Sequence, residues 1–120
     1  MGKNTWLVLG RILLAIPFLL AGIGKLTGFS GSVSYASSVG VPLATLAVVI
    51  ALIVELAGAL MLIFGYRAGM GSMVLVVYLV VVTLFFHLSL SDPGQLVQFN
   101  KNLGLIGGLL ILSAFKKEDK

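Results

Sequence analysis

Val41 to Phe64 reads VPLATLAVVIALIVELAGALMLIF, a run in which Glu55 is the only charged residue. A helix rises about 1.5 Å per residue and the hydrocarbon core of a bilayer is roughly 30 Å thick, so a run of this length crosses it. At that rise Glu55 lies roughly 20 Å from the Val41 end and roughly 14 Å from the Phe64 end, near mid-membrane. An unpaired charge at that depth costs at least a few kcal/mol. The carboxyl must therefore be protonated, paired with a cation or turned toward a wet cavity.

The rest of the chain has the same character. Of 120 residues, 59% are hydrophobic and 10% charged, whereas soluble domains carry charge on about a quarter of theirs. Four spans, at about 6–24, 41–64, 70–90 and 96–115, use most of the length and leave little for a soluble part. The expected fold is an all-α integral membrane four-helix bundle in a single domain, residues 1–120, in contact with the lipid bilayer. The formal net charge of +4 comes mostly from Lys and Arg in short segments flanking apolar runs, where they set topology. It is no sign of nucleic-acid binding. Lys3, Arg67, Lys116, Lys117 and Lys120 fall on one side, against Lys25 and Lys101 on the other, so the positive-inside rule puts both termini in the cytoplasm. There is no cysteine, which rules out thiol–disulfide exchange and Cys-ligated metals on this chain. A redox role would need a bound cofactor or a partner.

The first span is read as retained rather than as a cleaved signal, because Arg11 interrupts it and no small-x-small site closes it. Pro17 is expected to kink it. Arg11, Ala15, Phe18, Gly22 and Lys25 recur at steps of four and three, which places both cations on one inward face. The Gly- and Ser-rich stretch Thr27 to Gly40 is too polar to span and has room for a short interfacial helix around Ser32 to Ser38. Pro42 suits the opening of the second span, and Gly65-Tyr66-Arg67-Ala68-Gly69 reads as a tight turn. The third span is dense in Val and Leu, with His87 near its far end. Ser91-Asp92-Pro93-Gly94 reads as a turn, and the fourth helix is expected to begin near Gln95. Gly104 and Gly108 make a Gly-x-x-x-Gly spacing suited to close helix packing, within one chain or in a homo-oligomer.

Counted from Gly24 and Val41, Arg11 and Glu55 lie at nearly equal depth, roughly 20 Å down, and are expected to pair. Such a pair fastens two helices, serves a function, or both. Lys25, His87, Lys101 and Asn102 fall within a few turns of the outer surface, above that pair. If their helices share a centre, they line a cationic vestibule for an oxyanion, a lipid head group or the carbonyl oxygens of a quinone. Taken singly, the lysines would snorkel and His87 would satisfy a backbone group. One His and one acid at different depths cannot make a metal site.

Gly10-Arg11-Ile12, Phe18 to Leu26, Glu55-Leu56-Ala57-Gly58 with the Gly65 turn, His87, and Lys101-Asn102-Leu103 followed by Gly107-Gly108 stand in this order along nearly the whole chain. Together they resemble the DoxX family of small four-helix membrane proteins. The resemblance implies a multi-pass protein of the bacterial inner membrane. The family takes its name from a subunit of a thiosulfate:quinone oxidoreductase, and some members look like membrane partners of enzymes in thiol and oxidant defence. Arg11, Lys25, Glu55, His87, Lys101 and Asn102 match the polar positions that the family tends to keep. The first expectation is an accessory subunit of a membrane redox system, next to a membrane or peripheral oxidoreductase. It would bind a quinone or similar amphiphile, with Glu55 as the candidate proton relay. A non-enzymatic scaffold or assembly factor and a small-solute transporter are the alternatives, and the residues leave open whether the chain is itself an enzyme.

Overall fold

The computed structural model describes residues 2–86 and 93–114; the side chains of Lys3, Phe85, Phe86 and Gln95 lie outside that description. His87 and the charged tail, Lys116 to Lys120, also lie outside it. The described residues form five helices and no strand: α1 (Lys3–Thr27), α2 (Phe29–Ser38), α3 (Ala44–Phe64), α4 (Ala68–Phe86) and α5 (Pro93–Ser113). By length and composition α1, α3 and α5 can each cross a membrane, and α4 carries a shorter apolar stretch from Ala68 to Leu84.

Local chemistry sets these boundaries. α1 continues through Pro17 to Thr27, past the expected end at Gly24. The connection after it is mostly helix, since α2 starts at Phe29 and packs against α3. Pro42 does not open α3; it lies in the turn before it, and Leu43 takes a left-handed conformation ahead of Ala44. α3 ends at Gly65, φ +70°, a conformation in which a residue without Cβ is favoured. Only Gly65, Tyr66 and Arg67 separate α3 from α4, and the Arg67 guanidinium lies 5.7 Å from the centre of the Tyr66 ring, within cation–π range. α5 opens on Pro93, whose missing N–H costs nothing at a helix start.

α1 packs on α3, α3 on α4 and α4 on α5, and a lighter contact between α5 and α1 closes the ring. The long axis measures 46 Å, close to the roughly 40–45 Å of a bilayer with its head groups. Leu13, Leu20, Leu46, Ile53, Val77 and Ile111 are among many exposed large apolar residues. In water such a surface would be an aggregation hazard, whereas in lipid it is the required exterior.

Packing is uneven along the axis. Toward the end that holds the N-terminus, large side chains sit in the space that glycines leave. Leu75 lies over Gly58, Leu14 over Gly108 and Met61 over Gly71, so close that an added Cβ would lie 2.8–3.1 Å from them. Leu62, Leu75 and Leu109 are fully buried there. Toward the α2 end, Gly28, Gly31, Ala36, Ala47 and Ala51 line a cavity of ≈ 800 Å³.

Candidate functional site

Glu55 sits on α3 where these two kinds of packing meet. Gly22 of α1 allows the close approach: a Cβ there would lie 2.7 Å from Leu56 Cγ and 3.4 Å from Glu55 Cβ. One turn further along α1, Lys25 extends its ammonium to Glu55, with Nζ 3.0 Å from Oε2. From the opposite side the Tyr78 hydroxyl of α4 donates to the same oxygen at 2.5 Å. Glu55 is 4% exposed, and the Lys25 side chain 26%. The other carboxylate oxygen, Oε1, is buried and accepts no hydrogen bond from the described residues.

This triad answers the question a mid-membrane acid poses. Its counter-ion is an ammonium at hydrogen-bond distance, and charge-assisted bonds of this kind are the strong ones. The tyrosine fits the same logic, because a phenolic hydroxyl far from the interface needs a partner. Lys25 and Tyr78 also form part of the cavity wall, with Ser32 and Tyr35 of α2, while Val48, Ile50, Val81 and Val82 make its sides apolar. A polar floor under apolar walls suits an amphiphile, its head group on the lysine and tyrosine and its tail among the valines.

The expected pair of Arg11 and Glu55 does not form. The Arg11 guanidinium instead lies against Gly65, where an added Cβ would collide with it. At that point the positive charge faces the negative end of the α3 dipole, although Nε is buried without a partner among the described residues. The cause is register. Counting from Gly24 and Val41 assumed that the two helices share a level end, but Gly22 packs beside Glu55. Arg11 is therefore about 16 Å further along α1, as Gly65 is about 15 Å further along α3. α2 makes this offset necessary, since it occupies the level at which α3 was expected to start.

The expected vestibule also divides. Asn102 is buried and donates from Nδ2 to Thr83 Oγ1 at 3.0 Å, which ties α5 to α4. Lys101 is exposed and does not line the cavity. Of the expected set, Lys25 and Glu55 are brought together, while Arg11, Asn102 and Lys101 stand elsewhere and His87 lies outside the described residues. Among the described residues, no group of three His, Asp or Glu side chains could hold a metal ion.

Tyr78 is the residue that sequence reasoning missed. The signal was available: interfacial tyrosines gather at the ends of spans, whereas Tyr78 stands in the middle of MVLVVYLVVV, residues 73–82.

Comparison with known proteins follows the same lines. The DoxX family model matches residues 6–88. Among curated proteins, inner membrane protein YqjF of Escherichia coli (strain K12) is 33% identical over 111 residues, covering 92% of this chain and 84% of its own. Inner membrane protein YphA of the same organism is 27% identical over 116 residues, covering 92% and 83%. No solved structure matches the chain.

Proposed function

The chain belongs to the DoxX family, and from that premise we propose that it binds a quinone or similar amphiphile in the cavity above Lys25 and Tyr78, as the accessory subunit of a membrane redox system. It is a protein of the bacterial inner membrane, like the relatives it matches. In this reading α1, α3, α4 and α5 all cross the bilayer as one four-helix domain. α4, with 19 residues, reaches roughly 28 Å, and the lysine and arginine distribution puts both termini in the cytoplasm.

The observation that carries the proposal is that both polar groups of the cavity floor, Lys25 and Tyr78, are held on one oxygen of Glu55. An ammonium has three donor hydrogens and Glu55 uses one, so Lys25 retains donors for a ligand oxygen. Tyr78 and Glu55 form a hydrogen-bonded route for protons. Reducing a quinone to a quinol takes two electrons and two protons. The electrons would come from a partner oxidoreductase, since the chain has no cysteine of its own, and the protons would pass by way of Glu55 and Tyr78.

The test is titration of the purified protein in lipid nanodiscs with a short-chain quinone. Saturable binding that weakens at least about tenfold in Ala51→Phe, which places a ring in the cavity, is expected. Absence of saturable binding across varied lipid compositions would remove the proposal. A non-enzymatic scaffold is favoured by one observation, that the triad ties α1, α3 and α4 together at a single atom. Capture of one dominant partner that survives Glu55→Gln would support it.

A further inference from the structure

The charge balance of the cavity floor carries an inference about which head groups it accepts, and it rests on the reading of the cavity as an amphiphile site. We propose that the cavity selects electrically neutral head groups with an acceptor oxygen, carbonyl or ester in kind, and that Glu55 sets this selection without touching the ligand.

Among the described residues that line the cavity, Lys25 alone is charged. Its ammonium is already matched by the Glu55 carboxylate at 3.0 Å, so the pair sums to zero. A neutral acceptor can take one of the remaining Lys25 hydrogens while the pair stays intact. An anionic head group brings one uncompensated negative charge to a place near the middle of a span, where such a charge costs at least a few kcal/mol. It could be neutralised by taking up a proton, which makes it a neutral head group, or by drawing Lys25 away from Glu55. Drawing Lys25 away would leave a carboxylate whose Oε1 has no partner among the described residues, with the Tyr78 hydroxyl as its remaining donor. Glu55 is 4% exposed and absent from the cavity wall, so it acts through Lys25 as a specificity-determining neighbour.

The absence of native cysteine gives a direct readout. Ser32 lines the cavity, and Ser32→Cys places a unique thiol there whose maleimide labelling a bound ligand slows. The probes are methyl dodecanoate and dodecanoate, which share a chain and a carbonyl and differ in charge. Both are titrated by membrane mole fraction in zwitterionic nanodiscs at pH 8.5, where the fatty acid is ionised although the bilayer raises its pKa. With the native Lys25 and Glu55, the ester should protect at a mole fraction about tenfold lower than the carboxylate. In the Glu55→Gln background the floor carries net positive charge, and the order should reverse. In Lys25→Met the floor has lost its cation, and protection by the carboxylate should vanish.

Equal protection by the two probes with the native floor, or an unchanged ratio in Glu55→Gln, overturns the selection rule while the cavity reading stands. If Glu55→Gln does not fold, the native ratio and Lys25→Met decide. Protection by both probes that persists in Ala51→Phe, or by neither probe at any mole fraction, removes the cavity reading and the selection rule with it.

Discussion

The two halves of the bundle use the same small residues to opposite effect. Toward the N-terminal end several glycines receive a large neighbour, as Gly58 receives Leu75 and Gly108 receives Leu14, and the core is dense. Toward α2, Gly28, Gly31, Ala47 and Ala51 line one cavity, and space remains. Helix association in lipid relies on close packing rather than on expulsion of water, so the first half can hold the bundle together while the second keeps a cavity. Glu55 stands on the boundary, bonded to α1 and α4 and adjacent to the open half. A small residue in a membrane helix is thus informative only together with what lies opposite it.

The largest effect should come at the boundary itself. Glu55→Ala strands Lys25 without its counter-ion, and thermal or detergent unfolding should report a loss of about 3 kcal/mol. A change near zero would mean that the triad fastens nothing. In the dense half, Leu75→Ala empties a fully buried site and should cost about 2–3 kcal/mol in the same assay. A cost below about 0.5 kcal/mol would erase the contrast between the halves, since ordinary surface changes are of that size.

Gly65→Ala comes next. A Cβ at φ +70° meets both backbone strain and the Arg11 guanidinium, and about 1–2 kcal/mol of destabilisation is expected from the left-handed conformation alone. Unaltered unfolding would show that Gly65 does not end α3 in a left-handed conformation. The smallest effect belongs to the open half. Ala51→Leu places its added carbons in the cavity and should leave stability within about 0.5 kcal/mol. A loss as large as that of Leu75→Ala would mean the space is already filled by protein.

The amino-acid sequence discloses the membrane class, the helical fold and the inward face of α1, because hydrophobic length and helical spacing are local properties. Ala15 and Phe18 are buried as that spacing requires. The mid-span acid and its need for a cation were legible for the same reason. Which cation pairs with it was not, because Arg11 and Lys25 share one face and only inter-helix register separates them. That register depends on α2, a ten-residue helix in a Gly/Ser-rich stretch with weak helix propensity, ordered by its packing on α3. Asn102 was expected in a polar vestibule only if the helices share a centre, and its partner Thr83 lies on another helix; spacing along one helix does not reveal such pairings. Tyr78 was obscured by its own surroundings: apolar neighbours make it look like core, until one asks where its hydroxyl goes.

The most direct measurement is a pair of double-mutant cycles on unfolding free energy, Lys25→Met with Glu55→Gln and Arg11→Met with Glu55→Gln. Interhelical polar pairs in membranes couple by about 0.6 kcal/mol on average and reach about 1.7. The Lys25 cycle should give at least about 1 kcal/mol and the Arg11 cycle a value near zero. Strong coupling between Arg11 and Glu55, with none between Lys25 and Glu55, would contradict the register of α1 on α3 and dissolve the site at the cavity floor.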